Sequence, residues 1–204
     1  MEAEGLDKVT MRRLAQELDT GAASLYVYVR NTAELHAAMV EQLLDQVELS
    51  PARPHGSWRE RLTAVLQSYT VLLIQQPGLA PSVLVTRPSG PAYLRLLETV
   101  IGLLVEGGVP AGRAAWAVDL LLHLATSTAA EQNTRQRSLD AADEQHALDV
   151  ALLEAPADSF PHIAGLGAEL LSGSGPDRLR WAFDVLLTGI ERTPRPPDHT
   201  VTAG

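Results

Sequence analysis

The sequence predicts an all-α protein, and three observations support that fold class. Apolar residues recur at spacings of three and four along nearly every segment of the 204 residues, as in helices that bury one face. No alternation of apolar and polar residues persists over five positions, so no strand is predicted. Glycine or proline stands at most of the breaks between segments, where one helix ends before the next begins.

The composition is that of an ordinary globular chain, with 46% hydrophobic and 20% charged residues. The chain has no cysteine, which excludes a disulfide scaffold and thiolate chemistry. No apolar run reaches the roughly 18–20 residues of a membrane span. The first residues are acidic and lack the pattern of a signal peptide. We therefore expect a soluble, cytoplasmic protein.

The charge is unevenly distributed along the chain. The net charge of −9 by itself argues against a nucleic-acid partner, since DNA binding needs cations that face phosphates. Residues 8–32, however, carry four basic and two acidic residues, whereas residues 138–177 carry eight acidic residues and no Lys or Arg. A nucleic-acid contact is therefore expected only near the N-terminus.

The first segments have the spacing of a helix-turn-helix. Thr10 is the predicted N-cap of the first helix. Residues 19–21 break it, and a second short helix is predicted over 22–29. Thr32 is the predicted N-cap of a third helix, which runs to about residue 47. Two short helices joined by a three-residue turn that contains Gly are typical of a helix-turn-helix motif.

The residues after the third helix are predicted to form a larger helical unit. Residues 50–56 are a linker by their Pro and Gly content, and Ser57 is the predicted N-cap of the next helix, which ends at Pro77-Gly78. Further helices are predicted over 78–86, 91–106, 110–133, 159–171 and 177–191. The acidic segment 134–158 is poorly periodic, with 140–154 as its one candidate helix.

A helix that enters the major groove needs a support helix, phosphate donors at its edges and short side chains that approach the bases. The second helix turns Leu25 and Val29 inward. It leaves Ala23, Ser24, Val27 and Tyr28 facing outward. Tyr26 and Tyr28 can donate their hydroxyl groups to phosphates, and Arg12 and Arg13 lie at the N-terminus of the support helix. The alternative is that the arginines form a solvated face and the tyrosines only pack.

Residues 9–35 resemble the helix-turn-helix of the tetracycline-repressor (TetR) family. The matching features are Thr10 with Arg12, Leu14-Ala15, Leu18, Leu25-Tyr26, Tyr28-Val29 and Asn31. Later matches to the regulatory domain of that family are Ser57-Trp58-Arg59, Pro77-Gly78-Leu79, Arg87-Pro88, Gly107-Gly108, Phe160-Pro161-His162 and residues 183–187. The resemblance extends the expected DNA contacts to Thr10, Ala22, Arg30 and Thr32. It implies a one-component repressor, a homodimer on a pseudo-palindromic operator, released by a small apolar effector.

These inferences divide the chain into a DNA-binding domain (1–47), an effector and dimerisation domain (48–192) and a disordered tail (193–204). By family analogy the dimer is a four-helix bundle of helices 110–133 and 177–191, whose apolar excess fits that role. The predicted interface residues are Leu121, Leu124, Phe183 and Leu187. The predicted pocket residues are Tyr69, Leu73, Tyr93, Leu97, Trp116, Leu120, His123 and Ser127. His123 as a core histidine, and Trp116 in the core or the interface, remain open alternatives.

No catalytic or metal-binding arrangement is recognisable. The six histidines show no HxxxH spacing, and neither a Ser/His/Asp set nor a phosphate loop that follows a strand is found. We expect no metal, no cofactor and no enzymatic activity.

The sequence departs from the family in three places. Thr32 stands where the family often has a basic residue. Asp19 occupies the position of a common turn glycine and must adopt a left-handed backbone. The family also places a full helix before Gly5-Leu6, where this sequence has four residues. That difference leaves an alternative: a paralogue that does not bind DNA and acts through dimerisation.

Overall fold

A computed structural model describes residues 9–52, 55–76, 78–85 and 88–196. This part of the chain forms ten α-helices and no strand, which confirms the predicted fold class. The helices are α1 (Met11–Glu17), α2 (Ala22–Leu25), α3 (Thr32–Leu44), α4 (Trp58–Gln75), α5 (Leu79–Val85), α6 (Pro91–Glu106), α7 (Ala111–Arg137), α8 (Ala141–Leu153), α9 (Pro161–Leu171) and α10 (Gly175–Arg192). Within these ranges, no helix has both the length and the apolar character needed to cross a bilayer.

Polar side chains fix the first residues of several helices. They accept hydrogen bonds from backbone N–H groups that have no partner within the helix. Thr10 caps α1 as predicted, accepting a first-turn backbone N–H at 3.2 Å. The cap of α3 is Asn31 rather than the predicted Thr32, and its Oδ1 accepts an N–H at 2.8 Å. Ser57 and Glu60 form a reciprocal capping box at the start of α4.

Two apolar cores of unequal size divide the molecule. The main core is centred on α4, α6 and α7, with α10 and the end of α3 packed against them. Its largest fully buried side chains include Leu62, Leu66, Tyr69, Leu73, Leu96, Leu104, Leu121, Phe183 and Leu187. The small core joins Val9 and Met11 to Leu35 of α3. We call residues 9–31 the head and α4 to α10 the body.

Helix α3 joins the head to the body because it contributes to both cores. Leu35, near its start, lies in the small core, whereas Val40 and Leu44 lie in the main core. The boundary predicted at residue 47 therefore falls after a helix that both units share.

The acidic segment after α7 is more regular than predicted. Helix α7 continues to Arg137, and the candidate helix over 140–154 is present as α8, which packs against α9. A Cβ atom on Gly167 would lie 2.8 Å from the carbonyl oxygen of Leu152, so a glycine there lets the two helices approach closely. None of the side chains of α8 is buried, which explains why apolar periodicity gave so weak a signal.

The tail is partly described. Of the predicted disordered residues 193–204, residues 193–196 follow α10, and the guanidinium of Arg195 lies 5.1 Å from the ring centroid of Trp116. This stacking is a cation–π contact between the start of the tail and α7; the disorder of the tail stays a prediction. Residues 197–204 lie outside the described residues, as do residues 1–8.

Candidate nucleic-acid interface and effector site

The turn between α1 and α2 is built as the sequence predicted. Asp19 has φ of +47°, the left-handed conformation expected where the family has glycine. The N–H of Thr20 donates to the carbonyl of Ala15 at 2.9 Å, which closes the end of α1. The reversal places α2 against α1, the arrangement of a helix-turn-helix.

The inward face of the second helix is also confirmed. Leu25 and Val29 are partly buried and pack against the small core. The regular helix covers 22–25 only, shorter than the predicted 22–29. Even so, the N–H of Val29 donates to the carbonyl of Leu25 at 3.1 Å, so one helical hydrogen bond persists beyond it.

The outward face presents unusually large side chains to solvent. Val27 is 80% and Tyr28 83% exposed, with Tyr26 and Ser24 exposed beside them. The other predicted DNA contacts that are exposed are Thr10, Arg12, Ala23, Arg30 and Thr32. Arg13 is half-buried, and the side chain of Ala22 lies outside what the structure describes. The candidates thus belong to one small unit, the head with the first residue of α3.

Helix α7 has two apolar faces. The sequence analysis assigned residues of its core face to the dimer interface and residues of its outward face to the effector pocket. Leu121, Phe183 and Leu187 are fully buried in the chain's own core, so a second copy has no access to them. That part of the predicted interface is wrong; Leu124 is half-buried at its edge. Consecutive helical residues differ by about 100° in direction, so the neighbour of a core residue points elsewhere.

The outward face of α7 carries four of the predicted pocket residues. Trp116 is 55% and Leu120 45% exposed. His123 is also exposed, and Ser127 is half-buried, with its Oγ donating to the carbonyl of Leu124 at 3.1 Å. They lie away from Tyr69 in the core. The eight predicted pocket residues therefore do not converge on one site, and His123 is not a core histidine.

The interior side of the predicted pocket is formed by α4 and α6. Tyr69 and Leu73 of α4 are fully buried, and Tyr93 and Leu97 of α6 are partly buried against the same core. The hydroxyl groups of Tyr69 and Thr126 are hydrogen-bonded at 2.9 Å. Burial raises the pKa of the Tyr69 phenol well above its usual value, so this group is a neutral hydrogen-bonding partner.

Two polar residues of this interior were missed in the sequence. Asn133 is buried, and its Nδ2 donates to the carbonyl of Leu73 at 3.0 Å. Its Oδ1 has no partner among the described residues. Thr126 and Asn133 are seven residues apart on the core face of α7, and polar residues at that spacing in an apolar stripe could have revealed them.

The outward faces of α7 and α10 adjoin one another. Trp116 and Leu120 of α7 lie beside Val185 of α10, around a groove of about 570 Å³ that residues 193–196 help to line. Val185 is 49% and Trp181, one turn earlier, 69% exposed. We call Trp116, Leu120, Trp181 and Val185 the outer face. The sequence analysis missed the two residues of α10, although their spacing of four was visible.

No three His, Asp or Glu side chains converge in a way that could hold a metal ion, among the residues that the structure describes. The buried polar groups beside Tyr69 and Leu73 are the hydroxyl of Thr126 and the amide of Asn133, which suit hydrogen bonding to an organic ligand.

Comparison with known proteins identifies relatives over almost the whole chain. The family model described as "Tetracyclin repressor-like, C-terminal domain" matches residues 50–193. The HTH-type transcriptional repressor DrrR1 of Streptomyces coeruleorubidus is 30% identical over 203 residues, which cover 93% of this chain and 72% of that protein.

Solved structures agree with that match. SCO7704, described as a transcription regulator of Streptomyces, is 55% identical with a TM-score of 0.75, over 97% of this chain and 92% of that one. ActR of Streptomyces coelicolor, in complex with actinorhodin, is 33% identical with a TM-score of 0.83, over 93% of this chain and 88% of that one. ActR has also been solved with (S)-DNPA. None of these relatives supports a paralogue without DNA binding.

Proposed function

The chain belongs to the tetracycline-repressor family of ligand-responsive transcriptional repressors, and on that premise we propose that it binds a pseudo-palindromic operator as a homodimer. A small, largely apolar effector bound in the body releases the DNA. The protein acts in the cytoplasm, where its operator lies, and its action requires binding alone, without catalysis.

The observation that carries this proposal is the exposed segment of the head that begins with α2 and continues through the turn to Tyr28. Val27 and Tyr28 are more than three-quarters exposed although both are apolar or aromatic. Apolar side chains that contact thymine methyl groups, and tyrosine hydroxyls that donate to phosphates, suit this position. The exposed Arg12 and Arg30 supply positive charge locally, against the net charge of −9 of the whole chain.

The outer face supports the homodimer. Two tryptophans and two aliphatic side chains are exposed on adjoining helices, and such a contiguous patch marks an interaction surface. A two-fold axis through it would bring the same patch of each copy together. Helices α7 and α10 of two copies would then form the four-helix bundle predicted by analogy.

The interior of the body supports an effector with an apolar frame and at least one hydrogen-bond donor. Leu73 and Leu97 belong to the same apolar core as Tyr69, and Asn133 donates to the backbone carbonyl of Leu73 within it. The buried Oδ1 of Asn133 lacks a partner among the described residues, and a donor from the effector would supply it. ActR, similar over 93% of this chain, binds actinorhodin, which makes actinorhodin a suitable first probe.

The test is a fluorescence-anisotropy titration with duplex DNA from the region upstream of the protein's own gene, at several salt concentrations. We expect tight binding that weakens steeply with salt, and release when actinorhodin is added. A scrambled duplex of equal length is the control. Equal affinity for the two duplexes would contradict the proposal, whereas retained specificity without release would reject actinorhodin as an effector.

A further inference from the structure

Helix α6 takes its N-terminal cap from another element. Its N-cap residue, Gly90, makes no side-chain cap bond, and Pro91 follows at the first helical position. The backbone N–H of Ala92 donates instead to Oε1 of Glu41, which lies on α3, 51 residues earlier in the chain. A carboxylate at this position also interacts favourably with the helix dipole.

The space at Gly90 makes this contact possible. A Cβ atom there would lie 2.3 Å from the carboxylate of Glu41. The backbone of Gly90, with φ of −81° and ψ of 172°, is open to any residue. Glycine is thus explained by the room that the carboxylate needs, and the contact depends on both residues.

Glu41 has few other partners in its surroundings. Its Oε2 is buried without a hydrogen-bond partner among the described residues, so the N-terminus of α6 is the main group that stabilises this charge. One turn later, Asp45 pairs with Arg95, but those side chains are 64% and 55% exposed. Exposed ion pairs contribute little to stability. The hydrogen bond of Glu41 to the N-terminus of α6 is therefore the stronger polar contact between α3 and α6.

This contact between Glu41 and α6 lies between the head and the predicted effector site. Helix α3 joins the head to the body through Leu35 on one side and Val40 on the other. In α6, Tyr93 follows the capped residue directly, and Leu97 lies one turn further on. A ligand that shifts α6 would therefore shift the group that holds Glu41.

Resting on the proposed function, we infer that Glu41, seated over Gly90 at the N-terminus of α6, is the positioning residue that sets the angle of the head to the body and passes a displacement of α6 to the head. An effector alters the equilibrium only through a difference between the two arrangements. The hydrogen bond from Ala92 to Glu41 supplies this difference in free energy, because it forms only when α3 and α6 hold their present relative position.

The first test measures the angle without DNA or effector. The chain has no cysteine, so two cysteines introduced at the exposed residues Gln16 and Glu98 carry the only nitroxide labels. Labelled chains are diluted with unlabelled protein, and electron–electron resonance gives the distance within one chain. In this background we compare Glu41→Ala, Gly90→Ala and the double variant, with Gln42→Ala, exposed on the same helix, as control.

We expect one narrow distance distribution for the parent and for Gln42→Ala. Glu41→Ala and Gly90→Ala broaden it or move its maximum by roughly 1–2 Å, the size of a helix shift. The double variant changes no more than Glu41→Ala, since both substitutions break one contact. Unchanged distances in all variants, or additive changes in the double variant, would overturn the inference.

The second test connects the angle to DNA binding. Glu41→Ala lowers the operator affinity by roughly 5- to 150-fold, the usual range of coupling between sites, while Glu41→Gln, which retains an acceptor oxygen, lowers it less. Thermal melting of each variant separates this effect from loss of folding. If a folded Glu41→Ala binds the operator like the parent, the inference fails. If distances respond but the parent shows no operator specificity, the positioning role stands and the proposed function fails.

Discussion

Arg12 is the residue whose role at the DNA is most sharply testable. It is exposed in the first turn of α1, beside the cap residue Thr10. We predict that Arg12 contacts a base edge, so Arg12→Ala costs about 1–3 kcal/mol of binding free energy, confined to one operator position. Affinities for a set of single-base operator variants measure this, with Gln16→Ala on the same helix as control. A uniform loss with a smaller salt slope would identify a phosphate contact instead.

Tyr69 gives a prediction for the pH dependence of stability. Its pKa is raised above the ordinary 10.0 by burial, so the folded state keeps the phenol neutral where the unfolded state ionises. The stability that this group contributes is fully present below about pH 10 and is lost as the pH rises above it. Urea unfolding at about pH 8 and about pH 11 should show that loss in the parent. Tyr69→Phe should lack it, at a cost of about 1 kcal/mol for the bond to Thr126; an equal alkaline loss in the two proteins would contradict this.

At the scale of elements, the turn between α1 and α2 depends on one backbone conformation. Because φ of Asp19 is +47°, a β-branched residue is strained there. Asp19→Val should lower the free energy of unfolding by about 1–2 kcal/mol, and Asp19→Gly should leave it unchanged or raise it. Chemical denaturation monitored by circular dichroism measures both. Equal stability of the valine and glycine variants would show that the turn relaxes.

The head could be predicted from the sequence because its signals are local. The cap at Thr10, the inward Leu25 and Val29, and the left-handed Asp19 all depend on neighbours within a few residues. The N-cap of α3 differs from the predicted one by a single residue because Asn31 and Thr32 are adjacent and both are good caps.

The faces of α7 could not be assigned in the same way. This helix is apolar on two sides, so its sequence gives no single direction of burial. Only the positions of the helices packed against it, α4, α5, α6 and α10, decide that Leu121 is buried while Leu120 is exposed. The polar cap that Glu41 gives to α6 was likewise invisible, since it joins residues far apart in the chain.

At the scale of the whole molecule, the outer face predicts the oligomeric state. Trp181→Arg, on the outer face, should convert a dimer into monomers, because burying an unpaired charge in an apolar interface is costly. Leu94→Arg is the matched control, since Leu94 is 54% exposed on α6. Sedimentation velocity measures the mass of each variant. A dimer that persists in Trp181→Arg, with the control also dimeric, would move the interface to another surface.

The exposed helix-turn-helix and the apolar outer face lie on one chain. We propose that two copies of this chain bind one operator together. The most direct measurement is the native mass of the complex formed with a full palindrome from the upstream region and with a duplex that contains one half-site. We predict two chains on the full palindrome and much weaker binding to the half-site. One chain per full palindrome, or equal affinity for both duplexes, would contradict the proposed binding of one operator by two copies.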